Sequence, residues 1–129
     1  MGRMATSALD VTPDEMAQYR ATMAKDAAAD EDRRIELEGH AWTIARAAAD
    51  RLRDEYFASR VLLYGSLARG QFRPGSDIDI AAWGIDAGQW LNVVGLGLEL
   101  GREVETNICL AESMRPEVRQ AALRDGLDL

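Results

Sequence analysis

Residues 61–82 read VLLYGSLARGQFRPGSDIDIAA, and the fold follows from how this stretch divides. Val61, Leu62, Leu63 and Tyr64 make an apolar run of strand length. Gly65 and Ser66 end it. Phe72-Arg73-Pro74-Gly75 forms a connecting loop, because Pro-Gly marks a turn. Asp77, Ile78, Asp79 and Ile80 then alternate acid and apolar. Alternate residues of a strand share a face. Ile78 and Ile80 are therefore expected in a core, with Asp77 and Asp79 together on the other side. Two carboxylates on one face repel each other unless something positive lies between them. A hard divalent cation, which prefers oxygen ligands, meets that need.

The first turn supplies a complement. A glycine at a strand end lets a ligand approach the backbone closely, and Ser66 offers a hydroxyl. SLARG reads as the first turn of a helix, whose free N–H groups suit phosphate. Arg69 and Arg73 put two cations nearby, although Arg73 reads equally as a solvated loop arginine. A phosphate cradle facing a metal site suits a nucleoside triphosphate with Mg²⁺.

Gly65-Ser66, ten residues, then Asp77-x-Asp79 resembles the signature of the nucleotidyltransferase superfamily that includes DNA polymerase beta. GSLARG followed by SDIDI is similar to the minimal nucleotidyltransferases of prokaryotes, often encoded beside a helical HEPN partner as antitoxin and toxin. The resemblance extends from about Trp42 to the end, though only the central stretch is diagnostic. It implies that Gly65 and Ser66 hold the triphosphate and that Asp77 and Asp79 bind Mg²⁺. It also implies a third carboxylate on a later strand. Glu105 in EVETNICL matches that position, where an aspartate is commoner; Glu103 shares its face. The implied fold is α/β, of the α+β two-layer kind: a small mixed sheet of about three strands, with helices covering one face.

Composition bounds the rest. At 129 residues the chain reads as one domain; the resemblance makes residues 35–129 the nucleotidyltransferase domain and residues 1–34 an N-terminal helical extension. A net charge of −7 argues against direct nucleic-acid binding through phosphate contacts and suits a basic partner. The single cysteine, Cys109, allows no internal disulfide. It reads as a small buried hydrophobe in a reducing, cytoplasmic setting. No apolar run is long enough to span a membrane, and MGRMATSALD lacks the apolar core of a signal peptide.

In chain order, residues 1–11 read as a flexible terminus. Thr12-Pro13-Asp14-Glu15 then reads as a capped helix start. The apolar stripe lapses through AAADEDRR, which is either exposed helix or a break. Ile35, Trp42, Ala45, Ala49, Leu52 and Tyr56 share one helix face and are expected to pack on the sheet. His40, the one histidine, has no second histidine or cysteine near it and reads as a surface residue. Asp86 is expected to cap a helix from Ala87 to about Leu100, with Trp90, Val93, Val94, Gly97 and Leu98 as its apolar face. A strand follows at Glu103 to Leu110. A last helix has Pro116 near its start and Gly126 after its end.

The activity the resemblance implies is transfer of AMP from ATP to a hydroxyl, by a two-metal in-line displacement that works through positioning and charge stabilisation. Gly65, Ser66, Arg69 and Arg73 would bind the triphosphate. Asp77, Asp79 and Glu105 would bind two Mg²⁺ ions, with Glu105 a ligand or a proton acceptor. The implied acceptor is a tyrosine of a HEPN-type toxin in a hetero-oligomer. The alternatives are an antitoxin acting by direct binding around a vestigial site, and an aminoglycoside-type adenylyltransferase.

Overall fold

The computed structural model describes residues 11–129. The flexible terminus expected over residues 1–11 lies, except for Val11, outside the described residues. Helix α1 spans Pro13–Tyr56 without a break through AAADEDRR. Thr12 caps it, its Oγ1 accepting from the Glu15 N–H at 3.1 Å. The chain groups into two compact units, dividing between Arg33 and Arg34. In the first, Tyr19 and Met23 are exposed.

The second unit, residues 34–129, is built on a mixed four-stranded sheet. Strand β1 is Arg60–Tyr64 and β2 is Ile78–Trp83. Helix α2, Trp90–Leu100, follows a 3₁₀ turn at Ala87–Gln89. Strand β3 is Thr106–Leu110, helix α3 is Pro116–Asp125, and β4 is Leu127–Asp128. The order is β3-β2-β1-β4. β1 is antiparallel to β2 and β4, whereas β2 and β3 run parallel with Asp79 opposite Asn107. The expected α/β fold with a small mixed sheet is observed, with β4 as an added edge strand. β4 is two residues long, too short for any periodicity.

One sheet face carries Val61, Leu63, Ile78, Ile80, Ala82, Ile108 and Leu110 into a core with α1 and α2. From α1 the core takes Ala41, Ile44, Ala45, Ala48, Ala49 and Leu52, with Trp42 and Tyr56 packed at its margin. Ile35, expected on this face, is 55% exposed because the buried stripe begins only at Ala41. The 3₁₀ turn delays the start of α2, and Asp86 caps that turn through the Gly88 N–H. α2 buries Val93, Leu96 and Gly97. Gly97 sets this face: a Cβ there would lie 2.8 Å from the Thr106 carbonyl oxygen. Trp90 and Leu98, expected inward, are therefore 55% and 73% exposed. β3 starts at Thr106 rather than Glu103. Glu103 is exposed, and its Oε2 is in contact with His40 Nε2.

The two glycines of α2 are expected to respond in opposite senses to alanine. Gly95 has open space around it, so Gly95→Ala should raise unfolding free energy by about 0.5–1 kcal/mol. Gly97→Ala should lower it by about 1–3 kcal/mol, because the added methyl forces α2 off β3. Urea titrations of both variants check the pair.

Candidate active site

Tyr64, the last residue of β1, leads into Gly65, whose φ of 82° lies in the left-handed region that suits glycine. Space makes the same demand, since a Cβ at Gly65 would lie 2.5 Å from Asp79 Oδ2. The segment after it makes one helical turn and no more. The Arg69 N–H donates to the Gly65 carbonyl at 3.2 Å. The turn then closes with Gly70 N–H to Leu67 O at 3.2 Å and Gln71 N–H to Ser66 O at 2.8 Å, Gly70 having φ 69°. This is the glycine-terminated helix end, so the helix expected from SLARG is stopped by Gly70 within a turn. Leu67 is buried and pins the turn to the core.

Asp77 immediately precedes β2 and Asp79 lies in it, both half-buried on the sheet face opposite the core. Asn107 of β3 reaches them, its Nδ2 donating to Asp77 Oδ2 at 3.0 Å. Burial first, and then the Asp77 charge, pushes the Asp79 carboxyl up to about 6 from 3.8; hydrogen bonding from Asn107 and the Arg69 charge pull the other way. Tyr64 faces the same side. Its phenol donates weakly to Cys109 Sγ at 3.9 Å and is held well above its usual range, mainly by burial. Cys109 is half-buried on this face, outside the main core.

Gly65, Ser66, Arg69, Ser76, Asp77 and Asp79 line a cleft of about 500 Å³ with Tyr64. Its other wall is Val118, Ala121, Ala122 and Asp125 of α3, which covers part of the sheet face opposite α1 and α2. The helices therefore flank both faces. Of the residues expected to bind triphosphate, the structure brings Gly65, Ser66 and Arg69 into this cleft. Arg73 is exposed in the following loop, outside the cleft lining, its N–H bonded to Ser76 Oγ at 3.1 Å. Glu105 is exposed one residue before β3. Its carbonyl accepts from the Ile78 N–H at 2.8 Å, and its charge acts on Asp79, but its side chain lines a neighbouring hollow with Glu103 and Phe72.

With this geometry in place, the chain can be set against known proteins. Residues 45–84 match the nucleotidyltransferase domain family. That segment contains the Gly65-Ser66 turn, Asp77 and Asp79. The fold is similar to a solved structure whose own assignment as a minimal nucleotidyltransferase is provisional. The two share 28% sequence identity with a TM-score of 0.56, over 66% of this chain and 88% of that one. No curated protein matches significantly in sequence. These likenesses support nucleotidyl transfer as the class of activity.

A nucleotidyltransferase domain works with a nucleoside triphosphate and a divalent cation, and the residues here fit such a cation. The donors are two carboxylates and a serine hydroxyl, all hard oxygens, beside a glycine that leaves the space in front of Asp79 free of a side chain. Mg²⁺ typically takes one or two carboxylates and completes its shell with water and phosphate. Among the described residues, no three His, Cys, Asp or Glu side chains group closely enough to hold an ion unaided. No described helix is long and apolar enough to cross a membrane. The sequence reading missed Asn107 and the α3 wall. An asparagine in the apolar run TNICL, where it is a poor strand former, was the available signal for the first.

The raised Asp79 carboxyl has a stability consequence. Its folded value, about 6, lies above its unfolded value of 3.8, so the metal-free native state binds that proton more tightly. Stability should therefore fall as pH rises from about 4 through about 6. Asp79→Asn should remove that contribution and gain relative to the parent protein across the same window. Denaturant unfolding of both in EDTA, from about pH 4 to 7, checks this; parallel curves would exclude a raised Asp79.

Proposed function

We propose that this protein is a Mg²⁺-dependent nucleotidyltransferase that moves AMP from ATP to a hydroxyl. The observation that carries the reading is the Asp77–Asp79 pair beside the Gly65-Ser66 turn in one cleft, inside the segment that matches a nucleotidyltransferase domain. Gly65 gives the triphosphate access to the backbone, and Ser66 and Arg69 bind its outer phosphates. Asp77 and Asp79 hold the cation, which supplies charge neutralisation to the triphosphate. The acceptor oxygen forms a bond to the α-phosphorus, the bond from that phosphorus to the bridging oxygen of the β-phosphate breaks, and pyrophosphate leaves. The acceptor's proton passes to a carboxylate, for which Glu105, exposed in the neighbouring hollow, is the candidate. Arg73 meets the outgoing phosphates only from the loop.

The acceptor proposed is a tyrosine of a HEPN-type toxin in a cytoplasmic hetero-oligomer. The likeness of GSLARG and SDIDI to minimal nucleotidyltransferases supports this, and a net charge of −7 suits a basic partner. The exposed position of Glu105, outside the cleft lining, favours a second reading, an antitoxin that neutralises its partner by contact alone.

Coexpression with the product of the adjacent gene, followed by intact-mass spectrometry, tests the proposal. The partner should gain one or more AMP units. Asp77→Ala and Asp79→Ala should each lower that modification by about 100-fold or more, since even outer-shell partners of a metal site are worth about 10–100-fold. A stable complex with no added mass, still protective with both aspartates replaced, would establish the contact reading instead.

Gly65→Ala is expected to abolish transfer while the domain still melts cooperatively. The new methyl would meet Asp79 Oδ2 and sit at a φ of 82°. Thermal melting alongside the transfer assay checks this.

A further inference from the structure

β3 is an edge strand of the sheet, and its Asn107 stands opposite Asp79 in the parallel register. On the open face its Nδ2 donates to Asp77 Oδ2 at 3.0 Å, and the register sets the same residue beside Asp79. An amide nitrogen carries two N–H donors, and each ionised carboxylate can accept about four bonds. One neutral group can thus hold Asp77 beside Asp79 and leave most of their accepting positions free.

The choice of group matters. Asparagine is disfavoured in strands, and its neighbours Ile108 and Leu110 are buried in the core, so packing gives no reason for it. A lysine or arginine at this position would relieve the Asp77–Asp79 repulsion more strongly, but its charge would occupy the place of a cation. A carboxylate would add repulsion. An amide restrains the pair without competing by charge. Outer-shell donors of this kind orient metal ligands and typically matter by about 10–100-fold in affinity.

We propose that Asn107 is a positioning residue of the metal site, holding the Asp77 and Asp79 carboxylates convergent and leaving their remaining oxygens to a divalent cation. The inference rests on the metal-dependent reading above, and its test separates the two.

Mn²⁺ binding to the full chain is measured by electron paramagnetic resonance, with and without a non-hydrolysable ATP analogue, for the parent protein, Asn107→Leu and Asn107→Ala. Both variants should bind Mn²⁺ about 10–100-fold more weakly and still melt cooperatively in EDTA. The alanine variant removes the donors without adding bulk, should leucine disturb the sheet. The Mg²⁺ concentration for half-maximal transfer should rise by a similar factor, with the rate at saturating metal largely restored. A purely structural Asn107 would lower the melting temperature and the rate while leaving the affinity unchanged, which would overturn the proposal. Tighter Mn²⁺ binding in the variants would overturn it too, by showing that the amide competes with the cation. No Mn²⁺ binding by the parent protein would sink both this inference and the metal-dependent function.

Discussion

Two like charges held half out of water on a central strand are the constraint around which the second unit is arranged. Asp77 and Asp79 share a face because β2 alternates, and β2 stays in place because Ile78 and Ile80 anchor its other face. The cost shows in Asp79, whose carboxyl stays protonated up to about 6. A fold selected only for stability would not keep that pair, since unpaired half-buried carboxylates weaken the native state at neutral pH. The surroundings answer the charge only in part. Asn107 donates a hydrogen bond to Asp77, Arg69 contributes a cation, and Gly65 withholds a side chain. Each leaves the space in front of the acids open, and an open, negatively charged, oxygen-lined space is what a cation with a polyphosphate can fill.

The features legible in the sequence are those that short-range pattern controls. The alternation in DIDI placed both aspartates and both isoleucines, and Gly65 marked the end of β1. Thr12 and Asp86 cap as their types and spacing indicate. The Ala45–Ala49–Leu52 stripe faces the core.

Where the sequence misled or was silent, a contact between distant segments decides. SLARG has helical propensity, but Gly70 closes the turn after one round because the chain must return towards β2. Trp90 and Leu98 look like core residues by type, yet the orientation of α2 is set by Gly97 lying against the Thr106 carbonyl. Nothing local reveals that contact. β4 has two residues and exists only because β1 offers a free edge at Leu62 and Leu63. Adjacency of β2 and β3, needed to bring any β3 residue to the aspartates, has no local signal, and the register then selects Asn107 as the partner in contact.

The second wall of the cleft shows how far such control reaches. α3 stands across from Asp79 because the chain leaves it through Gly126 and enters β4 beside β1. A Cβ at Gly126 would lie 2.8 Å from the Leu63 carbonyl oxygen and 2.4 Å from that of Ala122. Only a residue without a side chain passes there, so the position of α3 is tied to the same strand that ends in the Gly65 turn. The two walls are therefore referenced to one element, β1. Tyr64 and Gly65 extend its C-terminal end into one wall, and its pairing with β4 holds the other. A site assembled from residues about sixty positions apart keeps its width because both sides are measured from one strand. The small side chains of Ala121 and Ala122 on the α3 wall keep that width available to a ligand.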